Sequence, residues 1–341
     1  MPAGEIYTKL SEFVELALCC GEMRIDVHQH IWTAPLIEAL AARDAPPCIS
    51  RENGLAVLHC AGEPPYVIDV AAETPARRTR LVAADGLDRA LVALSSPIGI
   101  EALERDDAVT LIDAHLKGVE ALGEPFGRWG PVALDRLDPD DVDRLLASGC
   151  VGISVPAGAL AGHDALAVIR PLLLRVAERH VPLFVHPGYG PRQRPAEVSL
   201  TDPLWWQPLT TYVAQMQAAW LAFATEGRRE HPRLVVVFAM LAGCAPLLRE
   251  RLVMRGGPAG ADRDTLTFYE TSSFGPVAIA AMARLVGESQ LVYGSDRPVV
   301  EPVTSALDPV LRANSAKLFS KFRSDTGDAA AMTMVAGSAA A

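Results

Sequence analysis

Two histidines separated by one residue, His28 and His30, close the apolar run Ile25-Asp26-Val27-His28-Gln29-His30. Side chains alternate across a strand, so a strand here puts both imidazoles on one face and Ile25 and Val27 on the other. Imidazoles so placed at a strand end can both reach one metal ion, and they suit zinc and similar borderline cations. Exposed loop histidines are the competing explanation. A second run, Val181–His186, ends in histidine and turns at Pro187-Gly188. Such a residue either points into a pocket mouth or caps the core. A third run, Leu291-Val292-Tyr293-Gly294-Ser295-Asp296-Arg297-Pro298, carries an aspartate at its end. A buried aspartate is costly unless it is paired or binds a cation, and Arg297 beside it is one available partner.

The elements that would position these residues follow one pattern. Short apolar runs occur at Met23–His30, Ala90–Leu94, Trp129–Leu134, Gly149–Val155, Val181–His186, Leu234–Met240, Thr265–Thr271 and Gln290–Tyr293. Helical stretches at Ala108–Ala121, Pro139–Ala147, Asp164–Arg179, Tyr212–Glu226, Ala245–Val253, Pro276–Val286 and Ser305–Phe319 separate or follow them. Strands alternating with helices imply parallel pairing, since each crossover needs a helix to return the chain. Eight such units predict an α/β fold of the (β/α)8 TIM-barrel class. An open doubly wound sheet would normally show a glycine-rich phosphate turn after the first strand, where His28-Gln29-His30 stands instead. The barrel is expected over residues 23–322. A lid insertion is expected within 31–88, where Gly54–Cys60 and Tyr66–Val70 could pair as a hairpin. Residues 187–211, rich in Pro, Arg and Trp, form a second long loop of the kind that builds specificity.

Residues 1–22 read as an N-terminal helical extension, with Leu10, Phe13, Val14 and Leu18 near helical spacing. An exposed helix at 5–18 could pair two copies as a homodimer, and Met23 is an alternative start. Residues 323–341, mostly Ala, Gly, Ser and Thr, read as a flexible tail. The chain of 341 residues carries a formal net charge of −10, which argues against a phosphate-binding surface for nucleic acid. Its six cysteines form no CxxC pair, so they read as reduced thiols in a cytoplasmic protein. Charges at Glu5, Lys9, Glu12 and Glu15 interrupt any signal-peptide core, and no run of about 18 apolar residues predicts a membrane span.

Taken together, His28-Gln29-His30, His186-Pro187-Gly188 and Gly294-Ser295-Asp296-Arg297-Pro298 resemble the signatures of the amidohydrolase-related family. That family comprises metal-dependent barrel hydrolases and decarboxylases, among them aminocarboxymuconate-semialdehyde decarboxylase. The resemblance runs from Met23 to about Phe322 and implies one divalent metal, zinc or else manganese. It implies His28, His30, His186 and Asp296 as the ligands. The chain departs from the family on the sixth strand, where Met240 stands at the place of the family's histidine. Met240 neither donates a proton nor ligates a hard ion well.

Trp32, Tyr189, Arg192, Arg194 and Met240 are the expected substrate contacts, the arginines gripping a carboxylate. His59 could approach the mouth from the insertion. His115, His163, His180 and His231 fall on helices or just before strands and read as structural or solvated. Trp205 and Trp206 read as one pocket residue and one residue at a subunit contact. Glu270 reads as a hydrogen-bonding partner behind the metal. The resemblance first implies hydrolysis of a small carboxylate, amide or lactone by a metal-activated water, with Asp296 accepting and returning the proton. The alternative is non-oxidative decarboxylation of an aromatic or unsaturated acid, with Asp296 protonating the carbon that loses carbon dioxide. A second alternative is a metal- or ligand-binding homologue without turnover, weakened by Met240.

Overall fold

The computed structural model describes residues 23–191, 193, 195, 202–259 and 264–324. The expected N-terminal extension, Arg192, Arg194 and the tail from residue 325 lie outside the described residues. Strand β1 (Ile25–Gln29) opens the fold, followed by helix α1 (Ala34–Ala41). An antiparallel sheet then forms from β2 (Cys48–Glu52), β3 (Leu55–His59) and β4 (Tyr66–Ile68). The expected pairing of the two inner runs is present, with Ala56 opposite Ile68 and Leu58 opposite Tyr66. Strand β2 adds a third member by pairing Cys48 with His59. Helix α2 (Pro75–Ala84) returns the chain to the main structure.

Strands and helices then alternate: β5 (Arg89–Val92), α3 (Arg105–Leu122), β6 (Phe126–Arg128), β7 (Gly130–Pro131), α4 (Asp141–Ala147), β8 (Ile153–Pro156), α5 (His163–Glu178) and β9 (Leu183–His186). After the short α6 (Trp206–Leu209), α7 (Thr211–Ala222) passes through a π turn at Phe223–Gly227 into α8 (Arg228–Glu230). Then come β10 (Val236–Phe238), α9 (Arg249–Met254), β11 (Thr267–Glu270), α10 (Pro276–Val286), β12 (Leu291–Val292) and α11 (Asp308–Ser324). Every pairing among β1 and β5 to β12 is parallel. These strands are buried almost throughout. That is why they appear in the sequence as unbroken apolar runs rather than alternating ones.

The strands fall into two sheets, ordered β1-β5-β6 and β12-β11-β10-β9-β8-β7. The third apolar run, Trp129–Leu134, therefore holds only the short β7, and β6 lies just before it, with Trp129 between the two. Backbone hydrogen bonds join the sheets on both sides. Val27 N–H donates to the Tyr293 carbonyl at 2.9 Å, and His30 N–H to Arg297 at 2.7 Å. On the other side, Trp129 N–H reaches the Val92 carbonyl and Val151 N–H reaches Arg128, each at 3.0 Å. The sixth run ends earlier than its apolar character suggested. Strand β10 stops at Phe238, and Met240 to Cys244 turn left-handed, with φ between 50° and 60°. The helix expected from Ala245 starts properly at Arg249. Among the described residues, no helix is long and apolar enough to cross a membrane.

Candidate metal centre

Each motif histidine sits at the end of a strand. His28 lies in β1, His30 just beyond it, and His186 closes β9. Asp296 follows β12 at φ 57°, a left-handed conformation that aspartate tolerates better than most side chains. All four are buried. Their ligand atoms lie within 4.8 Å of one another. The closest approaches are His28 Nε2 to His30 Nε2 at 3.1 Å and His30 Nε2 to Asp296 Oδ1 at 3.2 Å. His28 Nε2 stands 3.5 Å from the same oxygen. Bonds of about 2.0–2.2 Å to one cation require neighbouring donor atoms about 3.0–3.5 Å apart.

The remaining ring nitrogens explain why the Nε2 atoms face inward. His30 Nδ1 lies 2.9 Å from the Ala93 carbonyl, and His186 Nδ1 2.9 Å from the Pro187 carbonyl. His28 Nδ1 lies 3.0 Å from Glu270 Oε2. An acceptor on each Nδ1 fixes the tautomer that leaves the Nε2 lone pair free, as metal-ligating histidines require. Glu270 is itself held by Ser272 Oγ at 2.8 Å, Met240 N–H at 3.2 Å and Ser272 N–H. A Cβ at position 294 would meet Glu270 Oε1 at 2.1 Å, so the glycine beside Ser295 is what lets β12 pass this carboxylate. The Phe184 ring lies under His28 at 5.1 Å between centroids, and Trp129 stacks beneath Phe184 at 5.1 Å. That floor is apolar, which strengthens every charge interaction above it.

The electrostatics match a site built around a positive charge. Burial alone would suppress the charge on His28, but Glu270 and Asp296 outweigh it and push its pKa up to about 9. Burial and then the neighbouring imidazoles drive His186 well below the ordinary histidine range. Burial opposes ionisation of Asp296 as well. His28, His30 and His186 nevertheless hold its carboxyl below the ordinary aspartate range. Donor set, spacing and charge therefore fit one divalent cation.

Arg297 does not neutralise Asp296. Its guanidinium pairs with Asp85 at 2.9 and 3.2 Å and with Glu301 at 2.6 Å. Trp32 is buried, its backbone N–H on Glu73 Oε2 at 3.1 Å and its ring 6.2 Å from Tyr66 of the small sheet. Tyr189 is half-buried, and its hydroxyl has no hydrogen-bond partner among the described residues. Met240 reaches the site through its backbone, on Glu270. His59 bonds Ser50 Oγ at 2.8 Å within the small sheet. His115 is buried on α3, its ring nitrogens without a partner among the described residues, and Trp205 and Trp206 are both exposed. Four buried carboxylates went unsingled in the sequence, Asp26, Glu73, Glu101 and Asp141. For Asp26 a signal existed, since an aspartate between Ile25 and Val27 of a buried strand demands a partner.

No family model matches the chain, and no curated protein is similar to it in sequence. Solved structures do match. A dihydroxybenzoic acid decarboxylase from Polaromonas sp. JS666, with bound manganese and 2-nitroresorcinol, has a TM-score of 0.63 at 17% identity, covering 89% of this chain and 98% of that one. The 5-carboxyvanillate decarboxylase from Sphingomonas paucimobilis has a TM-score of 0.62 at 16% identity, covering 87% and 99%. The 2,6-dihydroxybenzoate decarboxylase from Rhizobium has a TM-score of 0.58 at 16% identity, covering 88% and 99%. The chain shares their fold. A further neighbour is described as an amidohydrolase, at a TM-score of 0.60. This is the fold that the amidohydrolase-related resemblance of the three motifs implies.

Proposed function

We propose that this chain is a metal-dependent, non-oxidative carboxy-lyase acting on a hydroxylated aromatic acid, built on a closed eight-stranded barrel. Closure is supported by the hydrogen bonds from β1 to the segment after β12 and by the step at Trp129 that joins β6 to β7. His28, His30, His186 and Asp296 would hold one divalent cation, zinc or manganese. The observation that carries the reading is the convergence of their ligand atoms within 4.8 Å, with every Nδ1 already engaged. Hydrolysis, which the motifs put first, has less support. Three neighbours in fold are decarboxylases of aromatic acids, and one of those three holds manganese.

A bound cation supplies charge that would draw a substrate carboxylate and its adjacent hydroxyl into the site. The protein's own groups account for the proton. Asp296 begins as a carboxylate, so it can take the proton that a phenolic hydroxyl gives up on docking. It then returns that proton to the ring carbon bearing the carboxylate. The bond from that carbon to the carboxylate breaks, and carbon dioxide leaves. Phe184 and Trp129 exclude water from below. Trp32, Tyr189 and Met240 would line the pocket, and Arg192 and Arg194 would grip an acidic group. Met240 brings no proton, so Asp296 carries this transfer alone.

The test is to load the purified chain with manganese or zinc and supply 2,6-dihydroxybenzoate and 5-carboxyvanillate. One metal per chain and released carbon dioxide are expected, both lost in His186→Ala. A new acid without gas, from esters, amides or lactones, would reassign the site to hydrolysis. Metal without any turnover would make it a binding protein, in line with the loss at Met240. A chain that takes up no metal would overturn the ligand set.

A further inference from the structure

Strand β1 does not pair regularly where it matters most. Asp26 stands opposite Ala90 and Gln29 opposite Val92 on β5, so three steps along β1 match two on its neighbour. The extra residue is a bulge, and His28 lies inside it. The same slip shows on the β12 side. Val27 N–H donates to the Tyr293 carbonyl, so a regular parallel ladder would send Ser295 N–H to the Val27 carbonyl. It does not go there. The Val27 carbonyl instead accepts the Trp129 indole N–H at 2.9 Å, and Asp296 N–H moves to the His28 carbonyl at 2.9 Å. The bulge thus links the backbones of two proposed ligands directly.

A bulge inside a buried sheet strands backbone donors, and each one left without a partner keeps the cost of its lost hydration. Here two are stranded, the N–H groups of His28 and Ser295. Asp26 Oδ1 takes both, at 3.0 and 3.1 Å. Its other oxygen accepts from Gln29 Nε2 at 2.8 Å, and Gln29 Oε1 accepts from Arg78 at 2.9 Å. The carboxylate is fully buried and touches none of the four ligand side chains' metal-facing atoms. Besides the Gln29 and Ser295 side chains, its partners are the peptide groups that set where those side chains start.

We propose that Asp26 is a positioning residue for the metal centre, a one-atom clasp between the His28 and Asp296 segments that holds the bulge closed. This rests on the metal reading given above. The clasp acts on geometry, so its loss changes how the ligands are arranged before it changes whether the chain folds. Leucine at this position keeps the volume and removes both acceptors. Asparagine keeps Oδ1 for both N–H groups. Serine keeps a small polar side chain but reaches only the N–H two residues ahead on its own strand.

The experiment compares full-length wild type, Asp26→Leu, Asp26→Asn and Asp26→Ser, each titrated with cobalt(II) and read by its visible d–d absorption. Wild type and Asp26→Asn are expected to give the same band with affinities within about threefold. Asp26→Leu and Asp26→Ser are expected to shift the band at saturation and bind about 10- to 100-fold more weakly, the range seen when support behind a ligand is lost. Should Asp26→Leu fail to fold, Asp26→Ser decides. A wild-type band and affinity in a folded Asp26→Ser or Asp26→Leu chain overturns the clasp and leaves the metal reading intact. No cobalt band in wild type overturns the metal reading itself.

Discussion

Glu270 Oε2 lies 3.0 Å from His28 Nδ1, with both side chains fully buried. The carboxylate makes the Nε2 lone pair more basic and keeps the ring from rotating. Glu270→Gln keeps the shape but loses the charge. Metal affinity is expected to fall about 10- to 100-fold by competition against a chelator. Circular dichroism should remain that of the wild type. An unchanged affinity would mean that the pair is only structural.

Asp296 has two assigned tasks, ligand and proton carrier, and Asp296→Asn separates them. The amide oxygen can still lean on a cation, but it cannot shuttle a proton. Carbon dioxide release per bound metal is expected to drop by at least about 100-fold, the lower end for removing a general acid–base group. Retained turnover at full metal occupancy would move the proton to another residue.

Glu101 is buried, with Oε1 accepting from Ser96 Oγ and Oε2 without a partner among the described residues. Burial pushes its pKa up to about 7, only partly offset by the Ser96 hydrogen bond. A carboxyl raised in the folded state favours folding while protonated. That contribution is complete below the unfolded value near 4.3 and is lost as the pH rises through about 7. Thermal stability of the wild type should therefore decline between pH 5 and pH 7, by up to about 1.4 kcal/mol for each step of one in pH. Glu101→Gln should flatten that decline and be the more stable chain at pH 8. Parallel melting curves across this range would count against the assignment.

Gly243 sits at φ 60° in the left-handed turn, and a Cβ there would meet the Val213 carbonyl at 2.7 Å. Its neighbour Ala242 already carries a Cβ at φ 54°. Gly243→Ala is expected to lower the melting temperature by several degrees, for a cost of about 1–3 kcal/mol. Ala242→Gly should not lower it, since glycine relieves left-handed strain of about 1 kcal/mol. Equal effects from the two substitutions would show that the turn relaxes freely.

The eight apolar runs each contain observed strand because parallel strands buried on both faces need unbroken apolar sequence. Less of the connecting structure was legible. Helix α2 begins at Pro75, a good first helical residue, but Arg77, Arg78 and Arg80 hid its inner face. Only the fold shows that Arg78 is buried against Gln29. The left-handed turn was illegible too, since Met240 read as the end of the sixth run and Leu241-Ala242 as a plain link to the helix from Ala245. At the site, spacing pointed to His28 and His30. It could not reveal the bulge between them, because a bulge depends on what the neighbouring strands offer rather than on local composition. Glu270 was visible as an acid at a strand end. Its contact with His28 is a product of sheet order.

The pairing of β1 with the stretch after β12 also bears on how the protein is made. His28 and His30 emerge early in synthesis, yet Asp296, the fourth proposed donor, follows β12. A nascent or prematurely ended chain would therefore offer at most a three-histidine set, with one sheet edge bare. Capture of a cation by the complete proposed set would certify that translation has run past β12.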